Sequence, residues 1–99
     1  MARHRLAAKA KAELDEIWLY VARNSGSIEV ADRLLESISE RFLLLARNPR
    51  IGRPRDDLRP GLRSFPAGEY VIIYSIDNDA VRVLHVARGS RNLEALLGG

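Results

Sequence analysis

Cysteine is absent from the sequence and lysine is nearly so, since two lysines stand beside fourteen arginines. Without cysteine, a disulfide framework and every thiolate metal site are excluded, and the composition fits the reducing cytoplasm, where we expect the protein. Long apolar runs are also lacking, because none approaches the roughly 18 residues that a membrane-spanning helix requires. Acidic residues at Glu13, Asp15 and Glu16 interrupt the N-terminal segment, so a signal peptide is not predicted.

Groups that bind metals or move protons are scarce. The two histidines, His4 and His85, have nothing at metal-ligand spacing around them, and the chain contains neither a glycine-rich phosphate loop nor a nucleophile elbow. We therefore predict no metal, no cofactor and no catalytic residue. The one reaction that the residues leave open is RNA cleavage, with charge from arginines and proton transfer from His85, Tyr70 or Tyr74.

The remaining composition is that of an ordinary globular protein. The 99 residues are 46% apolar and 29% charged, and we predict a single domain over residues 1–99. The formal net charge of +3 permits an acidic partner, either protein or nucleic acid, without requiring one. Two explanations of the arginine content stay open: guanidinium groups pair well with carboxylates and phosphates, and a GC-rich genome also favours arginine codons.

The first half of the sequence has the periodicity of two helices. Apolar residues recur every three or four positions over Ala7–Arg23, and again after the turn Asn24–Ser27, where Ser27 is suited to cap the second helix. Pro49 ends that second helix. The recurring apolar positions are Ala10, Leu14, Ile17 and Val21 in the first helix, and Ala31, Leu34 or Leu35, Ile38, Phe42 and Leu45 in the second. We predict a helical hairpin.

The second half has the pattern of short strands. A loop over Arg47–Arg63 is predicted to come first, and a last helical turn over Asn92–Leu97 to come at the end. The predicted strands are His4–Leu6, Leu62–Phe65, Tyr70–Ile76 and Ala80–Ala87. The order β-α-α-β-β-β is an α+β fold, in which an antiparallel sheet, made of the short N-terminal strand and a three-stranded C-terminal meander, packs on the hairpin.

Two segments carry more apolar residues than one buried face requires. Tyr70–Tyr74 is apolar on both sides of its strand, and Phe42–Ala46 is five apolar residues in a row. We expect an exposed apolar surface that a partner buries. The alternative is that the termini and loops of the chain itself provide the cover. The residues expected at this surface are Phe42, Leu43, Val71 and Ile73.

Four segments follow one another in a specific order: Ala12–Tyr20, Asn48–Gly52, Gly61–Ser64 with Gly68–Tyr74, and His85–Leu93. In this order they resemble the ParE-type toxins of bacterial type II toxin–antitoxin modules, within the RelE/ParE superfamily. The resemblance covers nearly the whole chain. The last segment departs from the usual family phrase, because His85 stands at an arginine position, Arg88 at a histidine position and Asn92 at an aspartate position.

The resemblance implies a fold, a partner and a target. The RelE/ParE-like fold is the α+β arrangement predicted above. A ParD-like antitoxin is implied to wrap an extended and helical segment over the toxin in a hetero-oligomeric complex. This segment would cover the exposed apolar surface expected above. The free toxin is implied to inhibit DNA gyrase, with no membrane association and no direct DNA binding of its own.

The RelE-like toxins of the same superfamily, which cleave mRNA on the ribosome, define the alternative function. Those relatives use basic residues on the central strands and a C-terminal tyrosine or histidine. Where their arginine follows the strand's tyrosine, this chain has Val71, and Leu93–Leu96 contains neither tyrosine nor histidine. Gyrase inhibition by a protein that is not an enzyme is therefore the favoured prediction. A toxin fold that has lost its toxicity is the third hypothesis.

Two sets of site residues follow from these expectations. The antitoxin is expected to bind the apolar surface and two arginines beside it, a set consisting of Phe42, Leu43, Arg63, Val71, Ile73 and Arg82. Contacts to the target are expected near the C-terminus, at Arg88, Arg91, Leu93 and Leu96, and at the hairpin turn Asn24–Ser27.

Overall fold

A helical hairpin lies against one face of a five-stranded sheet. The computed structural model describes residues 3–97, so residues 1–2 and 98–99 of the predicted domain lie outside the described part. A single 3₁₀ turn, Pro49–Ile51, follows the hairpin. In chain order the helices and strands are β1 His4–Leu6, α1 Ala8–Ser25, α2 Ile28–Arg47, β2 Arg53–Pro54, β3 Arg63–Ala67, β4 Tyr70–Asp77, β5 Ala80–Arg88 and α3 Leu93–Leu96.

The strands lie side by side in the order β1-β5-β4-β3-β2. The predicted α+β fold with its C-terminal meander is confirmed, with two differences in detail. First, β1 runs parallel to β5 rather than antiparallel, and nothing in a strand of three residues encodes its direction. Second, Arg53–Pro54, inside the predicted loop, pairs with β3 as an edge strand. Proline is tolerated there because the outer side of an edge strand needs no N–H donor.

The hairpin begins and ends where local signals predict. α1 continues to Ser25, and Gly26 ends it with a left-handed backbone at φ 68°, a conformation that glycine adopts at little cost. The Ser27 hydroxyl then accepts the Val30 N–H at 3.2 Å and caps α2. α2 ends just before Pro49, which cannot continue a helix.

The core fills the space between the hairpin and the sheet. The apolar run in α2 divides between two environments: Phe42, Leu45 and Ala46 are buried, while Leu43 and Leu44 are exposed. Phe42 is 2% exposed, so the expectation that it presents apolar surface is wrong. It belongs to the helix face spaced by three and four residues that continues from Ile38.

The far face of the sheet, away from the helices, is covered at its centre. Ile73 lies between the core residues Ile72 and Tyr74 of β4, so its side chain points to the far face, yet it is completely buried. The expectation of exposed surface at Ile73 is therefore wrong. Leu62, which lies on the same side as Ile73's partner Ser64, is buried as well, so the chain itself provides this cover.

The side chains of Tyr74 and Arg63 hold the 3₁₀ turn onto the sheet. The Tyr74 hydroxyl donates to the Pro49 carbonyl at 2.6 Å and accepts the Gly52 N–H at 2.9 Å. The Arg63 guanidinium donates to the carbonyls of Arg50 and Gly52 at 3.1 and 2.7 Å. Burial raises the pKa of the Tyr74 hydroxyl. A Cβ at position 52 would collide with this hydroxyl, which explains the glycine.

We predict that Tyr74→Phe lowers the free energy of unfolding by about 1–3 kcal/mol, because it leaves the buried Gly52 N–H without its acceptor. Urea unfolding followed by circular dichroism measures the loss. Tyr20→Phe is the matched control, because Tyr20 is 52% exposed, and it should change stability by less than about 0.5 kcal/mol. Equal effects of the two substitutions would show that the turn is not held by this hydroxyl.

Candidate interaction surfaces

Exposed apolar side chains concentrate on the helical layer. Within residues 3–97 the large apolar side chains with high exposure are Leu19, Tyr20, Ile28, Val30, Leu43, Leu44 and Ile51. All of them belong to α1, α2 or the 3₁₀ turn. The expected exposed apolar surface is therefore present at Leu43, but it lies on the hairpin and not on β4.

The six residues predicted to bind an antitoxin do not form one surface. Phe42 and Ile73 are buried, and Arg63 is engaged with main-chain carbonyls of its own chain. The other three remain accessible on different sides. Leu43 lies on the outer side of α2, whereas Arg82, between the core residues Val81 and Val83, points to the far face of the sheet. Val71 is half-buried on that same face.

The surroundings of Leu43 are acidic. A shallow depression of about 510 Å³ on the outer side of α2 is lined by Asp32, Leu35, Glu36, Ser39, Glu40 and Leu43. Asp32 also accepts a hydrogen bond from the Trp18 indole at 2.8 Å, which ties α1 to α2. A partner that covers Leu43 is therefore better matched with basic than with acidic side chains around its apolar contact.

A buried carboxylate joins α1 to the edge of β5. Glu13 is 6% exposed. One of its oxygens accepts the Val86 N–H at 3.0 Å, and the other lies 3.2 Å from His85 Nδ1. The sequence pattern was used only to count Glu13 among the acids that interrupt the N-terminal segment, and this role was missed. The signal was present, since positions 10, 13, 14 and 17 share one helix face, and Glu13 occupies a core position among Ala10, Leu14 and Ile17.

A groove runs between α1 and the end of β5. It encloses about 460 Å³ and is lined by Glu13, Glu16, Ile17, Tyr20, Tyr70, Val86, Ala87, Arg88, Ser90 and Arg91. A second concave region of about 510 Å³ shares Tyr20, Tyr70 and Arg88 with it, so the two lie side by side. The Arg88 guanidinium carbon lies 5.3 Å from the centre of the Tyr20 ring, a cation–π arrangement that holds the charge in the groove.

The structure separates the four predicted target contacts into two pairs. Arg88 and Arg91 line the groove. Leu93 and Leu96 are half-buried in α3, a single helical turn that is capped by the Asn92 side chain. The main-chain carbonyl of Leu97, just after α3, accepts a hydrogen bond from Arg59. The C-terminal segment is therefore attached to the loop between β2 and β3.

The groups proposed for proton transfer are engaged elsewhere. His85 pairs with Glu13, the Tyr74 hydroxyl holds the 3₁₀ turn, and Tyr70 is 7% exposed. No group of three or more metal-ligating side chains occurs within residues 3–97. In the same part of the chain, no helix has the length and apolar character needed to cross a membrane. The arrangement is suited to binding through apolar and arginine side chains.

Two solved structures of toxin–antitoxin systems have this arrangement. The chain is similar to a structure of the chromosomal ParDE system from P. aeruginosa, with a TM-score of 0.77 and 24% identity, covering 89% of this chain and 96% of the other. It is also similar to the RelBE2 toxin–antitoxin complex of Mycobacterium tuberculosis, with a TM-score of 0.62, 26% identity and coverage of 88% and 96%. The fold is that of the RelE/ParE toxins.

Sequence comparison identifies the branch of this superfamily. The family model of the ParE toxin of type II toxin–antitoxin systems, parDE, matches residues 5–93. Toxin ParE3 of Caulobacter vibrioides is 38% identical over 86 residues, which cover 87% of this chain and 85% of that toxin. The chain belongs to the ParE toxin family, as its four ordered segments predicted.

We predict that Glu13→Leu lowers the free energy of unfolding by about 1.5–3 kcal/mol, because it removes a charged acceptor from a buried N–H group. Glu13→Gln should cost less, since its amide oxygen can still accept the Val86 N–H. Urea unfolding measures both. Glu16→Leu, at an exposed position of the same helix, is the control and should have little effect. Losses of the same size for the leucine and glutamine variants would contradict this role of the Val86 bond.

Proposed function

We propose that this ParE-family toxin inhibits DNA gyrase when it is free and is neutralised by a ParD-like antitoxin. The observation that carries the proposal is the match of the ParE toxin family over residues 5–93, nearly the whole described chain. Gyrase inhibition comes from the family resemblance, since no residue pattern in this chain by itself specifies that enzyme.

An antitoxin partner is supported by the exposed apolar side chains. The related P. aeruginosa structure is described as a ParDE system and the M. tuberculosis structure as a toxin–antitoxin complex. In this chain Leu43 and Ile28 are 53% and 62% exposed on α2. Burying such a side chain contributes about 1.5–3 kcal/mol before the ordering of the partner is subtracted. Covering several of them therefore favours a complex, against the cost of association and of ordering the partner.

Ribonuclease activity is not supported by the chemistry of the described residues. Cleavage of RNA moves two protons, and positioned acid–base groups contribute about 10²–10⁴-fold to such reactions. His85 and Tyr74 are held in internal hydrogen bonds. Arg88 and Arg91 are accessible, but a guanidinium group stays charged, so it binds phosphate without transferring a proton. We therefore propose that the toxin acts by binding and is not an enzyme.

We predict that Arg82→Ala weakens antitoxin binding by more than about tenfold if Arg82 pairs with a buried acidic group of the antitoxin. The partner titrated is a ParD-like antitoxin, and calorimetric titration measures the affinity. Arg33→Ala, an exposed arginine on α2, is the matched control. Unchanged affinity for Arg82→Ala would reject this contact. Arg63→Ala should instead lower stability, because Arg63 binds its own main chain.

We predict that the purified toxin inhibits supercoiling by DNA gyrase and leaves ribosome-bound mRNA intact. Supercoiling of relaxed plasmid is followed by gel electrophoresis, and the mRNA by primer extension. Toxin mixed beforehand with its antitoxin is the control and should leave supercoiling unaffected. Cleavage of mRNA at the ribosomal A site with unimpaired supercoiling would place the protein in the RelE-like branch instead.

A further inference from the structure

The outer side of α2 carries four exposed residues on one face, Glu40, Leu43, Leu44 and Arg47, which we call the α2 stripe. Their spacing of three, one and three positions brings them together over two turns of the helix. The stripe lies opposite the buried face of α2, which packs on the sheet. Leu43 and Leu44 are 53% and 39% exposed, so the apolar centre of the stripe is open to solvent.

The charges at the two ends of the α2 stripe lack a partner in the toxin. Neither Glu40 nor Arg47 has an oppositely charged residue three or four positions away on α2, the spacing at which helix side chains pair. Within residues 3–97 neither of them takes part in an ion pair. Glu40 also follows Glu36 by four positions, an arrangement of like charges that destabilises a helix. A partner with a positive group at Glu40 and a negative group at Arg47 would compensate both charges.

The order of side chains in the α2 stripe is complementary to its own reverse. Toward the C-terminus the stripe is acidic, apolar, apolar and basic. When two copies of α2 pack antiparallel about a two-fold axis between positions 43 and 44, Glu40 of one copy lies opposite Arg47 of the other. Leu43 then lies opposite Leu44, and the symmetry makes every contact twice. A purely basic partner would match Glu40 but repel Arg47, so charge complementarity favours a second copy of the chain.

We propose that the α2 stripe binds the same stripe on a second copy of this chain, so that the free toxin forms an antiparallel dimer with two-fold symmetry. Two helical turns bury less than the roughly 1,200 Å² of a standard interface, so the dimer belongs to the weak, reversible class. The leucines supply most of the affinity, because exposed ion pairs are individually worth little. The two Glu40–Arg47 pairs fix the antiparallel direction.

Sedimentation equilibrium of the full toxin without antitoxin tests whether the stripe associates. Between about 10 µM and 1 mM the apparent mass should rise from one chain toward two, as expected for a small interface. Leu43→Ser should weaken this association at least about tenfold, because the symmetry removes the side chain twice. Ile28→Ser is the matched control, since Ile28 is 62% exposed on α2 outside the stripe, and it should leave the association unchanged. A single-chain mass throughout, or equal losses in the two variants, would overturn the proposal.

Reversal of single charges tests the antiparallel direction at low ionic strength, where surface charges are least screened. Glu40→Arg places arginine against arginine at both ends of the dimer, and Arg47→Glu places glutamate against glutamate. Each variant alone should associate at least about tenfold more weakly than the unaltered toxin. In an equimolar mixture every arginine faces a glutamate. The two variants should therefore form a mixed dimer with an affinity within about threefold of that of the unaltered toxin.

The mixture also shows whether the single variants are folded, because only folded chains can restore the dimer. Association of each variant as tight as that of the unaltered toxin would exclude the antiparallel pairs. A mixture that associates no more tightly than either variant alone would equally overturn the proposal. Since the assay contains neither antitoxin nor gyrase, its result is independent of the tests of the proposed function.

Discussion

The incomplete strand pairing along the outer edge of β5 is the constraint on which the arrangement of this toxin depends. A strand of nine residues is paired on one side with β4 along its length, but on the other side with β1 over only three residues. The buried N–H group of Val86, beyond that point, needs another acceptor. Glu13 supplies it from α1, so the helix is held at the side of the sheet. The groove with its two arginines is a direct consequence of that position.

Several polar side chains that could take part in chemistry are instead engaged in internal hydrogen bonds. This determines which kinds of function the surface can support. Tyr74 and Arg63 hold the 3₁₀ turn, and His85 is paired with Glu13. The surface keeps arginines and the apolar side chains of the hairpin, beside carboxylates such as Asp32, Glu36 and Glu40. The arginines and the apolar side chains bind partners but transfer no protons. This distribution is consistent with the proposed action of the toxin through binding.

Local signals in the sequence predicted the helices and the meander. The direction of β1, the edge strand and the burial of individual side chains depend on tertiary contacts. The Ser27 cap, the Gly26 turn and the β-branched run of β4 act within a few residues, so both helices and the meander were predictable. The direction of β1 and the pairing of Arg53–Pro54 depend on distant neighbours. The exposure of Ile73 was mispredicted because an apolar residue on a strand does not reveal whether its own chain covers it. Glu13 was missed because its partner lies on β5.

Amide hydrogen exchange of the free toxin tests the account most directly, because it measures separately the two outward N–H groups of β5 that lie beyond β1, those of Val86 and Arg88. If Glu13 closes the edge at Val86 and leaves it open at Arg88, the Val86 amide should exchange slowly, near the rate set by global unfolding. The Arg88 amide should exchange faster by about two orders of magnitude or more, as expected for an unprotected edge. Similar protection of the two amides would contradict the account, because the edge would then be either covered or open throughout.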